Sequence, residues 1–451
     1  MILRQPDCTI CGMSPHRVTR RDFNATFVGS IAGLSTARPA FAQDTAARVD
    51  ATRLQTTLMD LRRFGGTPAG GTHRLGYSTE DKQARLVVAG WMQEAGLVPA
   101  TDLAGNLIGR RAGSTSGLPP IVFGSHIDSV PDGGSYDGNV GTMAAIEVAR
   151  TLQDRRVTLR HPIEVAVWAN EEGGLFGSRA VSGQFEETEL AHVTSSGKTV
   201  RDGISFVGGD PARLGEARRD RGSVAAYLEL HIEQGGILEA ERVPIGIVEG
   251  IVGIRQWDVT VTGLANHAGT TPMDKRQDAL LAAARFVDMV NRVVRATPGR
   301  QVGTVGRMQV SPGARNVVPG SVVCSLELRD LDAAAILRFY DAIRGEADRI
   351  GDATGTTFAY RELHVNAPAP SDPHMRSIIA DAARALGLET KVMPSGAGHD
   401  AQAIAQLGPM GMIFIPSVGG ISHSPKEFSH PTDIANGANV LLGAVMSADA
   451  I

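Results

Sequence analysis

Val122–Gly141, VFGSHIDSVPDGGSYDGNVG, is the stretch whose reading decides the architecture. It continues the apolar run PPIVFGSH (Pro119–His126), too short for a helix and bounded by prolines and glycine, which reads as a buried strand. The strand ends in a histidine. Asp128 and Asp137 follow among five glycines, residues that remove side-chain bulk and open backbone angles other residues avoid. Then VGTMAAIEVARTL (Val140–Leu152) reads as a helix. The same alternation recurs along the chain. HPIEVAVWAN (His161–Asn170), VAAYLELHIE (Val224–Glu233) and GMIFIPS (Gly411–Ser417) read as strands. AARVDATRLQTTLMDLRRFG and TEDKQARLVVAGWMQEAGL read as helices, the second with Thr79 as N-cap and Gly96 closing it. The pattern predicts an α/β protein built on a mostly parallel sheet. Its acids and histidines stand just past the strand ends, the edge where open α/β sheets bind ligands.

From about residue 250 to 363 the pattern changes. IRQWDVTVTG and GSVVCSLELRD alternate as half-buried strands do, QVGTVGRMQV adds another extended run, and DALLAAARFVDMVNRVV and DAAAILRFYDAIRGEADRIG are helical. This predicts an α+β insert at 250–363 in a discontinuous main domain formed by 43–249 and 364–451.

A chain of 451 residues, 42% hydrophobic, suits two or three domains. A net charge of -4 offers no basic footprint for nucleic acid. Residues 1–42 differ from the rest: RVTRRDF, then the uncharged ATFVGSIAGLST, then ARPAFA. A basic segment, a short apolar segment and an A-x-A site make an export signal, and Arg20-Arg21 resembles a twin-arginine pair directing the protein to the periplasm. The apolar part is too short for a lasting membrane anchor. Cys8 and Cys11 precede Met13, an alternative start, so the mature chain keeps only Cys324 and forms no internal disulfide.

Four segments carry candidate ligands: His126, Asp128 and Asp137; Glu171 and Glu172; His231; and His423 in PSVGGISHSPKE. Singly, a strand-end histidine is a hydrogen-bonded structural group and a Glu pair a solvated helix start. Together they fall on one sheet edge. Mixed imidazole and carboxylate donors suit zinc, manganese, cobalt or nickel, and the lack of thiolate argues against a closed structural zinc site. Two such ions roughly 3.5–4 Å apart activate a water and polarise a carbonyl.

These residues, with the motifs GSHIDSVPDGGSYDGNVG, NEEGGLFGSRA, LHIEQG, NHAGTTPM, NVVPG, SGAGHDA and GISHSPKE, resemble the dinuclear metal aminoacylase and peptidase superfamily, in its hydantoinase/carbamoylase amidase branch. The resemblance implies a metallopeptidase-like catalytic domain, a lid and dimerisation insert, a homodimer, and two divalent ions per subunit. His126 and His231 would bind one ion, Glu172 and His423 the other, with Asp137 between them. Asp128 would orient His126, and Glu171 would be the general base. His267 of the insert would reach an active site, the partner subunit's, and stabilise an oxyanion. Asn316 and Arg329 would hold a substrate carboxylate, with Gln234 and His399 as further substrate-binding candidates. The implied reaction is hydrolysis of the ureido C–N bond in N-carbamoyl-L-amino acids, small anionic substrates. Allantoate hydrolysis is the nearest alternative, then N-acyl amino acid or dipeptide hydrolysis, then a silent metal-dependent binding protein.

Overall fold

The computed structural model describes residues 47–451; the expected signal segment ending at Ala42, with Arg20, Arg21, Cys8 and Cys11, lies outside the described residues. Among the described residues nine strands make one sheet. Its centre is four parallel strands in the order Ile163–Trp168, Ile121–His126, Ala226–Ile232 and Met410–Ile415. All four are buried along their whole length, as expected of mainly apolar runs covered on both faces. Leu107–Arg111 and Val98–Thr101 extend the sheet antiparallel on one side; on the other, Ile245–Ile251 joins antiparallel and carries Ala369–Pro370 antiparallel and Thr390–Ser395 parallel.

Alternate side chains of one strand enter different cores. Ile121 and Phe123 pack with residues of the helices Asn139–Asp154, Pro373–Ala385 and Pro431–Ala448, whereas Val122 joins Trp168, Tyr227 and Phe176 on the opposite face. The helix Ala51–Leu61 starts at Asp50, whose carboxylate accepts from Arg53 N, and buries Leu54, Leu58 and Leu61 in the first core. The helix Thr79–Glu94 is capped by Ser78, not Thr79: the Ser78 hydroxyl accepts from Asp81 N, which makes Thr79 the first helical residue. Gly96, at φ 72°, takes the left-handed turn that ends it.

After Ile251 the chain builds a second sheet, ordered Met308–Ser311, Ser321–Asp330, Gly253–Thr262, Thr357–Asn366, with Val302–Thr304 also on Ser321–Asp330. Every pairing in it is antiparallel. Ser321–Asp330 alternates buried and half-buried residues, and its inward side chains meet the helices Ala279–Ala296 and Ala333–Thr354 around Trp257, Phe286 and Leu326. Cys324, a free thiol, is buried there. The last strand runs three residues past the expected limit at 363, because its pairing with Gly253–Thr262 survives a bulge and continues to Asn366 opposite Ile254. Among the described residues no helix is long and apolar enough to cross a membrane.

Candidate active site

His126 ends one central strand and His231 stands next to last on its neighbour, both rings buried. Nδ1 of His126 lies 3.1 Å from the Asp128 carbonyl oxygen, and Nδ1 of His231 lies 2.9 Å from that of Ile232. A carbonyl only accepts, so each Nδ1 carries a proton and each Nε2 is the atom available as a ligand. Both Nε2 atoms turn to Asp137 Oδ1, His231 at 3.0 Å and His126 at 3.6 Å.

Asp137 is the hub. Its other oxygen, Oδ2, meets His423 Nε2 at 3.1 Å and accepts from Gln234 Nε2 at 2.7 Å and the Ser422 hydroxyl at 3.1 Å. Glu172 Oε1 lies 3.5 Å from the same His423 nitrogen. Two donor groups result, His126–Asp137–His231 and Asp137–Glu172–His423, each with its ligand atoms within 4.8 Å of one another and Asp137 common to both. Burial opposes charge on Asp137, yet His231, His126 and His423 hold its carboxyl well below the usual range. Burial likewise opposes protonation of His126, but Glu171, Asp137 and Asp128 raise it well above the usual imidazole value. On His423 the hydrogen bond to Asp137 outweighs burial and brings it up to about 9. Protons and cations thus compete for the same nitrogens.

Glu171 and Glu172 follow the end of the strand Ile163–Trp168, past Asn170 at φ 54°. Asp128 holds this turn: its two oxygens accept from Glu171 N and Glu172 N, each at 3.2 Å. That geometry corrects one expectation. The Asp128 carboxylate is 3.7 Å from His126 Nδ1, beyond a hydrogen bond, and the backbone carbonyl of the same residue orients the ring instead. Glu171 Oε2 stands 3.8 Å from His126 Nε2. Burial pushes the Glu171 carboxyl well above the usual range, with Asp400, Glu172 and Asp128 adding to it against His126. Burial and Asp137 bring Glu172 up to about 7.

Two glycines of the opening stretch make the crowding possible. A Cβ on Gly138, which sits at φ 63°, would come within 2.4 Å of the His126 ring, and one on Gly134 within 1.8 Å of Glu427 Oε1. Glu427 is the functional residue that sequence reasoning missed. One of its oxygens accepts from Tyr136 N and Asp137 N, the other from the Ser422 hydroxyl and His423 N. It thereby clamps two ligand loops remote in sequence. The signal was its place four residues after His423 in GISHSPKE, where a lone glutamate reads as surface.

Gln234 and His399 sit behind the ligands. Gln234, at φ 58°, donates to Asp137, and His399 is buried with its ring 4.5 Å from that of His231 and Nε2 on the Ser395 hydroxyl at 2.8 Å. The insert residues take their hydrogen bonds and ion pairs outside the cluster. His267 is exposed on a ribbon pairing Asn266–His267 with Val317–Val318, and its Nδ1 accepts from Gly269 N and Thr270 N. Asn316, also exposed, accepts from Ala268 N at its carbonyl. Arg329 pairs with Glu327 and donates to the carbonyl of Gly396.

Carboxylates and imidazoles around a shared aspartate, beside a buried glutamate, suit hydrolysis assisted by divalent ions. Comparison with known proteins agrees. Residues 122–447 match peptidase family M20/M25/M40. The N-carbamoyl-L-amino acid amidohydrolase of Geobacillus stearothermophilus is 40% identical over 398 residues, 87% of this chain and 97% of that one. The allantoate amidohydrolase of Escherichia coli (strain K12) is 34% identical, over 86% of this chain and 95% of its own. A hydantoinase/carbamoylase family amidase structure from Burkholderia multivorans superposes with a TM-score of 0.82 at 40% identity, covering 90% of this chain and 99% of the other. The chain belongs to peptidase family M20/M25/M40, in its hydantoinase/carbamoylase amidase branch.

Proposed function

We propose that the protein hydrolyses the ureido C–N bond of N-carbamoyl-L-amino acids, giving the amino acid, ammonia and carbon dioxide. The observation that carries this reading is the arrangement of His126, His231 and His423 around the two oxygens of Asp137, with Glu171 alongside. The donor set fits a pair of divalent ions such as zinc, manganese, cobalt or nickel, since the carbonyls behind His126 and His231 leave Nε2 as the ligand atom. His126 and His231 would hold one ion, Glu172 and His423 the other, and Asp137 both. Bound there, such ions supply Lewis acidity toward the carbamoyl oxygen and an acidified water.

The rest is done by the chain. Glu171, buried and short of solvation, takes a proton from the attacking water and delivers it to the departing nitrogen. Asp128 fixes Glu171 and Glu172 through their N–H groups, so the base and the ligand beside it keep their separate directions. Arg329 offers a fork to the substrate carboxylate. His267 and Asn316, exposed and away from their own chain's cluster, serve the site of a second subunit in a homodimer. The Arg20-Arg21 segment directs export to the periplasm.

Relatives named allantoate amidohydrolase and, in Arabidopsis thaliana, ureidoglycolate hydrolase support a second reading on another ureido acid. Ammonia release from a panel of N-carbamoyl-L-amino acids, allantoate, ureidoglycolate and N-acyl amino acids, with divalent metal supplied, decides between them. The highest kcat/KM is expected on an N-carbamoyl-L-amino acid. A higher value on allantoate or ureidoglycolate would move the assignment to that substrate.

A further inference from the structure

The segment Thr72–Arg74 has no part in the chemistry above and precedes the residues 122–447 that match the family, yet it runs alongside the loop carrying His126 and Asp137. Thr72 N donates to the Gly133 carbonyl, the Thr72 hydroxyl meets that of Ser135 at 2.7 Å, and Arg74 N donates to the Ser129 hydroxyl at 2.9 Å. The Arg74 side chain is 1% exposed. Its Nε donates to the Ile127 carbonyl at 2.7 Å, one residue after His126, and its Nη2 to Asn139 Oδ1 at 2.7 Å, two residues after Asp137. Its Nη1 donates to the carbonyls of Leu61 and Phe64, at and just beyond the end of the helix Ala51–Leu61.

Among the described residues Arg74 makes no ion pair, although it is fully buried. A charge so placed is costly to bury and, lying behind a cation site, works against cation binding by simple repulsion. Its benefit is geometric. The guanidinium is planar and rigid, so the two bonds at Nε and Nη2 fix the separation between the start and the end of the ligand loop. The bonds at Nη1 tie that separation to the end of the helix Ala51–Leu61, adding to the bond that the Leu61 carbonyl accepts from Phe64 N and giving the Phe64 carbonyl a donor. A lysine, with one compact ammonium group, reaches any one of these acceptors but cannot span them.

We propose that Arg74 is a positioning residue that sets the distance between His126 and Asp137, and through it the affinity of the site for its divalent ion. This rests on the metal-site reading above. The test compares wild-type protein with Arg74→Met, Arg74→Lys and Asn139→Ala, the last removing only the far arm. Cobalt(II) affinity by chelator competition, the visible spectrum of the cobalt(II) protein, the melting temperature of the metal-free form, and kcat and KM are measured on each. Both Arg74 variants should lose about 10- to 100-fold in cobalt(II) affinity, the usual size of an effect one shell outside the ligands. Their cobalt(II) spectra should shift, and kcat should fall with KM unchanged, because the substrate does not touch Arg74. Lysine should fail to rescue, and Asn139→Ala should show a smaller change in the same direction. Folded Arg74 variants with wild-type affinity and spectrum would overturn the inference even if they melt lower. Should the Arg74 variants not fold, wild-type affinity in Asn139→Ala overturns it. A wild type that binds no cobalt(II) sinks the metal reading itself and this inference with it.

Discussion

At the scale of single residues, neighbours of the same chemical type do different work because their surroundings differ. Glu171 and Glu172 are adjacent, both held by Asp128 through their N–H groups, yet one faces His126 and the other His423. Glu171→Gln keeps the shape and removes the base, so metal content should remain while kcat falls about 10² to 10⁴-fold. Retention of more than a tenth of the rate would place the base elsewhere. The metal-free site also has a definite response to pH. His423, brought up to about 9 by Asp137, holds its proton at neutral pH, and an ion binding there must displace it. Affinity should therefore rise with pH and level off above about 9, by about tenfold per unit for each proton released. Chelator competition at several pH values reads this directly, and a flat profile would contradict it. Glu427 offers a third test, since glutamine keeps one acceptor oxygen of the two. Glu427→Gln must leave without an acceptor either the N–H groups of Tyr136 and Asp137 or that of His423, and one ion should be lost or weakened about 10- to 100-fold, as counted by metal analysis after dialysis.

The governing element is the turn between the strand Ile121–His126 and the helix Asn139–Asp154. It must return Asp137 to the ring of His126, which started it, while the helix packs its buried face against the sheet. Only a residue without a side chain fits at Gly138, where φ is positive and the ring lies where a Cβ would be. Gly138→Ala should push His126 away from Asp137, abolishing metal binding at that ion while circular dichroism stays close to wild type. An alanine variant with full metal content would show that the turn relaxes more than this packing allows.

At the scale of the whole molecule, the second sheet separates its two candidate residues, Arg329 and His267. Arg329 pairs with Ile254 and touches Gly396 of the main body, whereas Ser321, at the other end of the same strand, pairs with Thr262, just before the ribbon that carries His267. A ten-residue strand spans about 30 Å, so one chain does not bring both residues to a single site in this arrangement. We expect Arg329 to act on its own chain's site and His267 on the partner's. Inactive His267→Ala and Arg329→Ala proteins, mixed and allowed to exchange subunits, should then recover about a quarter of wild-type activity, since half the dimers are mixed and each has one complete site. A mixture that stays inactive after exchange shows that both residues serve the same site from one chain.

Much of this was legible in the chain. Apolar runs ending in His126, Asn170, Glu233 and Ser417 announced buried parallel strands, because a strand covered on both faces has no polar alternation. Parallel strands put their carboxyl ends on one edge, so the candidate ligands following those runs are expected together from the chain alone. Other features were open only to the tertiary structure. Asp128 uses its carbonyl for His126 and its carboxylate for the next strand's turn, a choice made by distances across the sheet. Glu427 and Arg74 look like ordinary charged residues because most of their partners are backbone groups, some of them far away in sequence, which carry no side-chain signature. Residue types and strand ends are local properties that a sequence displays. Which donor meets which acceptor depends on how the loops fold over one another, and that is decided only when the chain closes.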